Sequence, residues 1–201
     1  MLAFRQKFME IFYLQKSEDM MRLSCILVVC VMLFSGIASA QEPVRYVEQY
    51  NEVSDGKVVP HFTSYVEGPI KGTIGWAGWL WVQKDWAEGM GGLTYAPKSW
   101  IQIAGMIGAE KDARPLRGAA NLWLSSSGWT FEVSHEYGGS GHWARYRGYY
   151  KPRKIGVGVD STKFVGTGPY VEADLGKITL YGSYAIVKSG GRGIFGARLN
   201  F

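Results

Sequence analysis

Trp100-Ile101-Gln102-Ile103-Ala104-Gly105-Met106-Ile107-Gly108-Ala109-Glu110 decides the fold. Ile101, Ile103, Gly105, Ile107 and Ala109 alternate with Trp100, Gln102, Ala104, Met106, Gly108 and Glu110. That is a period of two, the signature of a strand whose faces meet different surroundings. The pattern recurs on both sides. Leu116, Gly118, Ala120, Leu122 and Leu124 alternate with Arg117, Ala119, Asn121, Trp123 and Ser125. Trp129, Phe131, Val133 and Tyr137 alternate with Thr130, Glu132, Ser134 and Glu136. Residues 168–175, 178–187 and 193–201 continue the series.

Turn chemistry separates these runs. Pro97-Lys98-Ser99, Ser126-Ser127-Gly128, Pro152-Arg153 and Gly176-Lys177 read as tight connections. Asp112–Pro115, Gly138–His142, Asp160–Gly168 and Lys188–Arg192 read as longer ones. Strands of eight to eleven residues joined alternately by short turns and longer loops describe an all-β chain: a single antiparallel transmembrane β-barrel. In lipid, only a closed barrel satisfies the backbone of strands. A soluble antiparallel sandwich or lipocalin-type barrel is the competing architecture, because it alternates too.

Ten strands can be counted back from Phe201, over 75–83, 86–96, 100–110, 116–125, 129–138, 143–150, 154–160, 168–175, 178–187 and 193–201. Residues 62–70 add an eleventh. An even number is needed to put both termini on the periplasmic side, so residues 44–53 complete twelve, joined through Ser54-Asp55-Gly56-Lys57. The alternative is ten strands, with residues 44–53 as an interfacial helix. Short turns are expected on the periplasmic side and longer loops on the extracellular side.

The first forty residues form a separate unit. Arg22 precedes Leu23–Ala40, whose apolar core from Cys25 to Phe34 is followed by Ala38-Ser39-Ala40. A basic start, a short apolar centre and an A-x-A ending predict a secretory signal peptide cleaved near Ala40. The core is too short for a spanning helix, which needs about 20 apolar residues. Residues 1–19 fit no n-region, so the reading frame is expected to start at Met20 or Met21. The barrel domain is then 41–201.

Residues 1–40 hold four of the 22 basic and three of the 17 acidic residues, so the remainder carries 18 and 14, a net +4. Those charges are scattered, which argues against a nucleic-acid partner. Cys25 and Cys30 leave with the leader, removing thiol chemistry. All eight Trp lie after residue 40. Such enrichment suits membrane interfaces, where amphipathic rings collect.

The chain ends Phe195-Gly196-Ala197-Arg198-Leu199-Asn200-Phe201. Phe195, Ala197, Leu199 and Phe201 share one face. This ending resembles the last strand of Gram-negative outer-membrane β-barrel proteins, and the whole chain after residue 40 is similar to small barrels of that class. The resemblance implies an outer-membrane location. It also implies contact with membrane lipid and recognition of the terminal residues by the barrel-assembly machinery. It implies no catalytic residue and no cofactor, and it leaves the oligomeric state open.

Charge concentrates on the faces assigned to the lumen. Glu132 and Glu136 point inward beside Arg145 and Arg147 of the next strand, and Glu172 and Asp174 form a second group. Two readings follow: a plug of ion pairs, since buried charges need partners, or a charged constriction that selects small solutes. In a barrel this narrow, inward Trp, Arg and Tyr leave little open width, which favours the plug. A lipid A-modifying enzyme is the catalytic alternative. Ser134-His135-Glu136 has the composition but not the geometry: on a strand His135 faces away from the other two, while a nucleophile and its base must touch. His135 is expected among interfacial aromatics near Tyr137. His142 and Ser140 sit in a glycine-rich loop. The three histidines, 61, 135 and 142, have no paired spacing, so no metal site is expected.

Overall fold

The computed structural model describes residues 44–54, 56–187 and 190–201. The leader, both cysteines and the expected cleavage point near Ala40 lie outside the described residues. Twelve strands follow one another without a helix among the described residues. They are β1 (Arg45–Ser54), β2 (Lys57–Lys71), β3 (Ile74–Gln83), β4 (Trp86–Lys98), β5 (Ile101–Glu110) and β6 (Leu116–Ser126). Then come β7 (Trp129–Gly138), β8 (Gly141–Tyr150), β9 (Ile155–Thr162), β10 (Gly166–Leu175), β11 (Ile178–Val187) and β12 (Gly190–Asn200). Each strand pairs antiparallel with its sequence neighbours. β1 pairs with β12, closing the barrel. Closure leaves no edge strand, the condition for burying strands in lipid.

The expected segment 44–53 forms β1 (Arg45–Ser54), not an interfacial helix, and the count is twelve. The connections differ from expectation. Gly138–His142 is not a long loop: Gly141 and His142 pair with Gly138 and Tyr137, leaving Gly139 and Ser140 as the turn. Gly141 makes this possible with φ of 101°, which suits a residue lacking Cβ. The expected loop Asp160–Gly168 shrinks to Lys163–Val165, and β12 starts at Gly190 inside the expected loop Lys188–Arg192. The longest connection among the described residues is Lys111–Pro115. The strands run on until no partner remains, so connections are short at both ends.

Polarity is inverted relative to a soluble domain. Ile103, Ile107, Phe131, Val157, Val171, Leu180 and Phe195 are all exposed, on one half of the alternation. Glu48, Glu67, Glu88, Glu110, Arg117, Glu136, Arg147, Asp160 and Glu172 are buried, on the other half. The apolar face therefore looks out and the charged face looks in, the arrangement of a barrel solvated by lipid. Exposed Tyr95, Trp100, Trp129, Tyr150 and Phe201 ring the end that carries the termini, and exposed Tyr137, Phe164 and Tyr184 mark the other. These are the positions of aromatic girdles. The glycines of β4 and β5 allow close strand approach: a Cβ on Gly92 or Gly108 would overlap the carbonyl of Gly105 or Gly89 on the neighbouring strand.

Candidate functional site

The lumen holds three tiers of ion pairs. At the end away from the termini, Arg117 is the second residue of β6, near where β5 finishes with Glu110. One guanidinium meets three carboxylates: Glu110 at 2.6 Å, Glu136 at 2.8 Å and Glu88 at 2.9 Å. Ser140, in the β7–β8 turn, donates to Glu110 from both its backbone N–H (2.8 Å) and its hydroxyl (2.7 Å). All four charged side chains are buried. Planar, delocalised Arg suits this role because its forked donors can serve several carboxylates at once.

In the middle tier, β8 supplies Arg145 and Arg147. Arg145 makes a two-pronged contact with Asp160 of β9, at 2.6 and 3.0 Å. Arg147 lies between Glu132 and Asp160, 3.4 Å from each, and its guanidinium sits 4.3 Å from the centre of the Tyr170 ring. The Tyr181 hydroxyl donates to Glu48, and Arg198 of β12 reaches the same carboxylate at 3.2 Å. The Arg147 guanidinium also lies 5.8 Å from the centre of the Tyr181 ring on β11, and that of Arg198 on β12 lies 5.7 Å from the same ring. Side chains of β8 and β12, which are not neighbouring strands, thus meet around one ring in the lumen. Beside them, the rings of Tyr50, His61 and Trp81 stack at 4.6 and 5.2 Å, and Trp81 donates to the Tyr50 hydroxyl at 2.8 Å.

The third tier lies near the termini. Lys151, in the β8–β9 connection, reaches Glu172 at 2.6 Å and Asp174 at 3.0 Å. Tyr170 donates to Glu172 at 2.6 Å, and Thr179 to Asp174 at 2.8 Å. Burial alone would lower the Lys151 ammonium, but its bonds to the two carboxylates outweigh that and hold it above the ordinary lysine value. Opposite, Glu67 accepts from Tyr65 at 2.6 Å and from Gln102 at 2.7 Å.

The six charged residues expected in the lumen are all on the inward face, but their partners differ. Glu132 and Arg147 stand directly opposite one another and pair. Glu136 stands opposite Trp143 and pairs with Arg117, not with Arg145 or Arg147. Glu172 and Asp174 pair with Lys151. Glu48, Glu88, Glu110, Arg117, Asp160 and Arg198 were not singled out in the sequence. Their inward parity was readable, yet their partners are set by the stagger between strands and, for Glu48 and Arg198, by barrel closure. Phe195, Leu199 and Phe201 are exposed on the outer face as expected, with Ala197 half-buried between them.

The Ser134-His135-Glu136 arrangement separates as strand geometry requires. Glu136 is committed to Arg117 inside, while His135 lies outside. Tyr137 follows two residues on along the same outer face of β7, and the aromatic in contact with His135 is Tyr146 on β8. His135 Nδ1 lies 3.0 Å from His142 Nε2, and its Nε2 lies 2.8 Å from the Tyr146 hydroxyl. Two of the three histidines are therefore adjacent, against the sequence reading. The diagonal across a two-residue hairpin brings them together. No group of three or more metal-ligating side chains exists among the described residues.

These features define a porin-like, closed, all-antiparallel barrel of the outer-membrane type. The porin KdgM has this fold, with a TM-score of 0.53 at 12% identity, over 78% of this chain and 99% of the porin's. KdgM in complex with disordered oligogalacturonate gives 0.55 at the same identity and coverage. A structure from a study of in-meso crystallization of membrane proteins gives 0.55 at 7% identity, over 79% of this chain and 83% of its own. At such identities the likeness is one of fold. No family model and no curated protein matches the chain.

Proposed function

We propose that this chain is an integral, non-catalytic barrel of a Gram-negative outer membrane, with its lumen closed by its own ion pairs. The observation that carries the reading is the inverted polarity: buried carboxylates and arginines inside, exposed aliphatic and aromatic side chains outside. A soluble ligand-binding barrel would reverse it. The convergence of Arg147 and Arg198 on the Tyr181 ring supports closure, because it brings side chains of non-neighbouring strands together inside the barrel. The separation of Ser134 from His135 argues against hydrolysis. Under this reading the chain is exported by its leader and cleaved near Ala40. Its terminal face at Phe195, Ala197, Leu199 and Phe201 is read by the barrel-assembly machinery.

A second reading, a narrow channel, has one specific observation behind it. Ten carboxylates, the nine named above with Glu52 of β1, share the lumen with Arg117, Arg145, Arg147, Arg192, Arg198 and Lys151 among the described residues. Such an acid excess favours small cations. It opposes polyanions of the kind captured in the KdgM complex. Planar-bilayer recording with purified protein tests both: the closed reading expects no stable conductance. Nanosiemens-scale steps with cation selectivity would replace it with the channel. Recovery of the protein in the soluble periplasmic fraction would refute the membrane placement itself.

A further inference from the structure

The outer wall carries one cluster that a lipid-facing surface does not require. His135, His142 and Tyr146 project from the outer faces of β7 and β8, beside the β9–β10 connection Lys163–Val165. Their polar atoms form a row: Tyr146 hydroxyl to His135 at 2.8 Å, His135 to His142 at 3.0 Å, and His142 Nδ1 to the Lys163 ammonium at 3.5 Å. Lys163 also donates to the His142 carbonyl at 2.6 Å, which holds it over the row. The charged groups acting most strongly on His142 are Lys163, His135 and Arg117, all of them bases. Ser161 and Thr167, bonded to each other at 2.6 Å, continue the polar surface on β9 and β10.

The connection is built to present this cluster. Phe164 has a left-handed backbone, with φ of 76°, at a cost of about 1 kcal/mol or more for a residue with a Cβ. Arg192 pins the strained peptide by donating to the Phe164 carbonyl, and Val165 is buried beneath. The result is an outward Phe164 ring, 69% exposed, next to Lys163, with Tyr137 at 73% on the other side. Cations at the bilayer midplane of a barrel cost about 2–4 kcal/mol, falling to ~0–1 kcal/mol near the interface. The cluster therefore belongs at the interfacial level, among aromatics, where lipid phosphates lie.

We propose that His135, His142, Tyr146 and Lys163 form a docking site on the outer wall for the phosphorylated headgroup of a membrane lipid. Lys163 supplies the positive charge and an N–H donor to the phosphate, the His142–His135 row it feeds leaves the Tyr146 O–H free as a second donor, and Phe164 and Tyr137 flank the upper acyl region. A basic row suits an anion and repels a metal cation, whose approach Lys163 opposes. This inference rests on the membrane placement proposed above, but not on whether the lumen is closed.

The test uses folded, detergent-purified protein, checked by heat-modifiable gel mobility, and native mass spectrometry with lipid A as the probe. Wild type is expected to retain diphosphorylated lipid A and to lose it when both phosphates are removed. The double variant Lys163→Ala/His142→Ala, with unchanged heat modifiability, is expected to bind about tenfold more weakly or worse, as losing charge-assisted hydrogen bonds implies. A lumen-facing variant, Glu132→Gln, is expected to bind as wild type. Equal retention of the dephosphorylated lipid, or undiminished binding by the double variant, would overturn the proposal. So would displacement of the lipid by millimolar inorganic phosphate, which would assign the row to free anions. Failure of the membrane placement would show separately, as protein that stays soluble without detergent.

Discussion

Replacing Arg117 with methionine is the sharpest test of the lumen network. The substitution keeps an unbranched chain of similar length but removes the guanidinium that lies within 3 Å of Glu88, Glu110 and Glu136. Those carboxylates are buried, so they would face one another without a counter-charge. Removing one partner of a buried pair costs about 3–5 kcal/mol, far more than the pair contributes against an apolar substitute. Here a single deletion strands three carboxylates, so Arg117→Met is expected at or beyond the upper end of that range. Glu136→Gln should behave oppositely. It leaves Arg117 with two carboxylates and lessens their mutual repulsion, for a change of about 1 kcal/mol or less of either sign. The assay is urea unfolding in lipid vesicles, followed by tryptophan fluorescence and heat-modifiable mobility. The Arg117→Met deficit should shrink as the pH is lowered, since protonated carboxyls no longer repel. If Arg117→Met unfolds within about 0.5 kcal/mol of wild type at neutral pH, the three-carboxylate cluster does not hold the barrel together and the reasoning fails.

Three other outcomes are expected. The double substitution Arg147→Ala/Tyr170→Ala removes the side chains stacked in the middle tier and should open a measurable conductance in planar bilayers; a silent variant would place the barrier elsewhere. Val133→Arg, on the outer face at the middle of β7, should cost about 2–4 kcal/mol of stability in vesicles, whereas Tyr137→Arg nearer the rim should cost only ~0–1 kcal/mol; equal effects would mean that the exposed face does not meet hydrocarbon. Deleting Phe201 removes one exposed ring and the backbone bond to the Arg45 carbonyl at 3.1 Å, roughly 1.5–3 kcal/mol at most. Outer-membrane yield should nonetheless fall several-fold beyond what unfolding measurements explain, and a yield equal to wild type would remove the terminal face as an assembly signal.

The barrel was legible because its selection pressure acts residue by residue. A strand with lipid on one side and packed charge on the other must alternate, so the inward set Glu132, Glu136, Arg145, Arg147, Glu172 and Asp174 could be read from parity alone. Parity also separated Ser134 from His135. What alternation does not encode is stagger. Glu136 meets Arg117 because Arg117 stands opposite Gly138, two residues further along β7. Glu48 meets Arg198 because the last strand returns to pair with the first. The first fact concerns stagger and the second closure, and no single strand carries either.

Turn length was the other obstacle, and it concealed the outer cluster. Gly138–His142 resembles a flexible loop by composition, yet glycine is also what the positive φ just after a two-residue turn demands. Once Gly141 takes that conformation, His142 falls opposite Tyr137 and diagonal to His135. The same turn sets Ser140 against Glu110 inside the barrel. One short hairpin thus caps the buried carboxylate cluster with its inner side and assembles the basic row with its outer side. A longer Gly138–His142 loop would abolish both arrangements while leaving every strand in place. Inserting two residues between Gly139 and Ser140 should accordingly weaken lipid A retention and urea stability together, without changing the strand content measured by circular dichroism. Loss of only one of the two would show that the hairpin does not couple them.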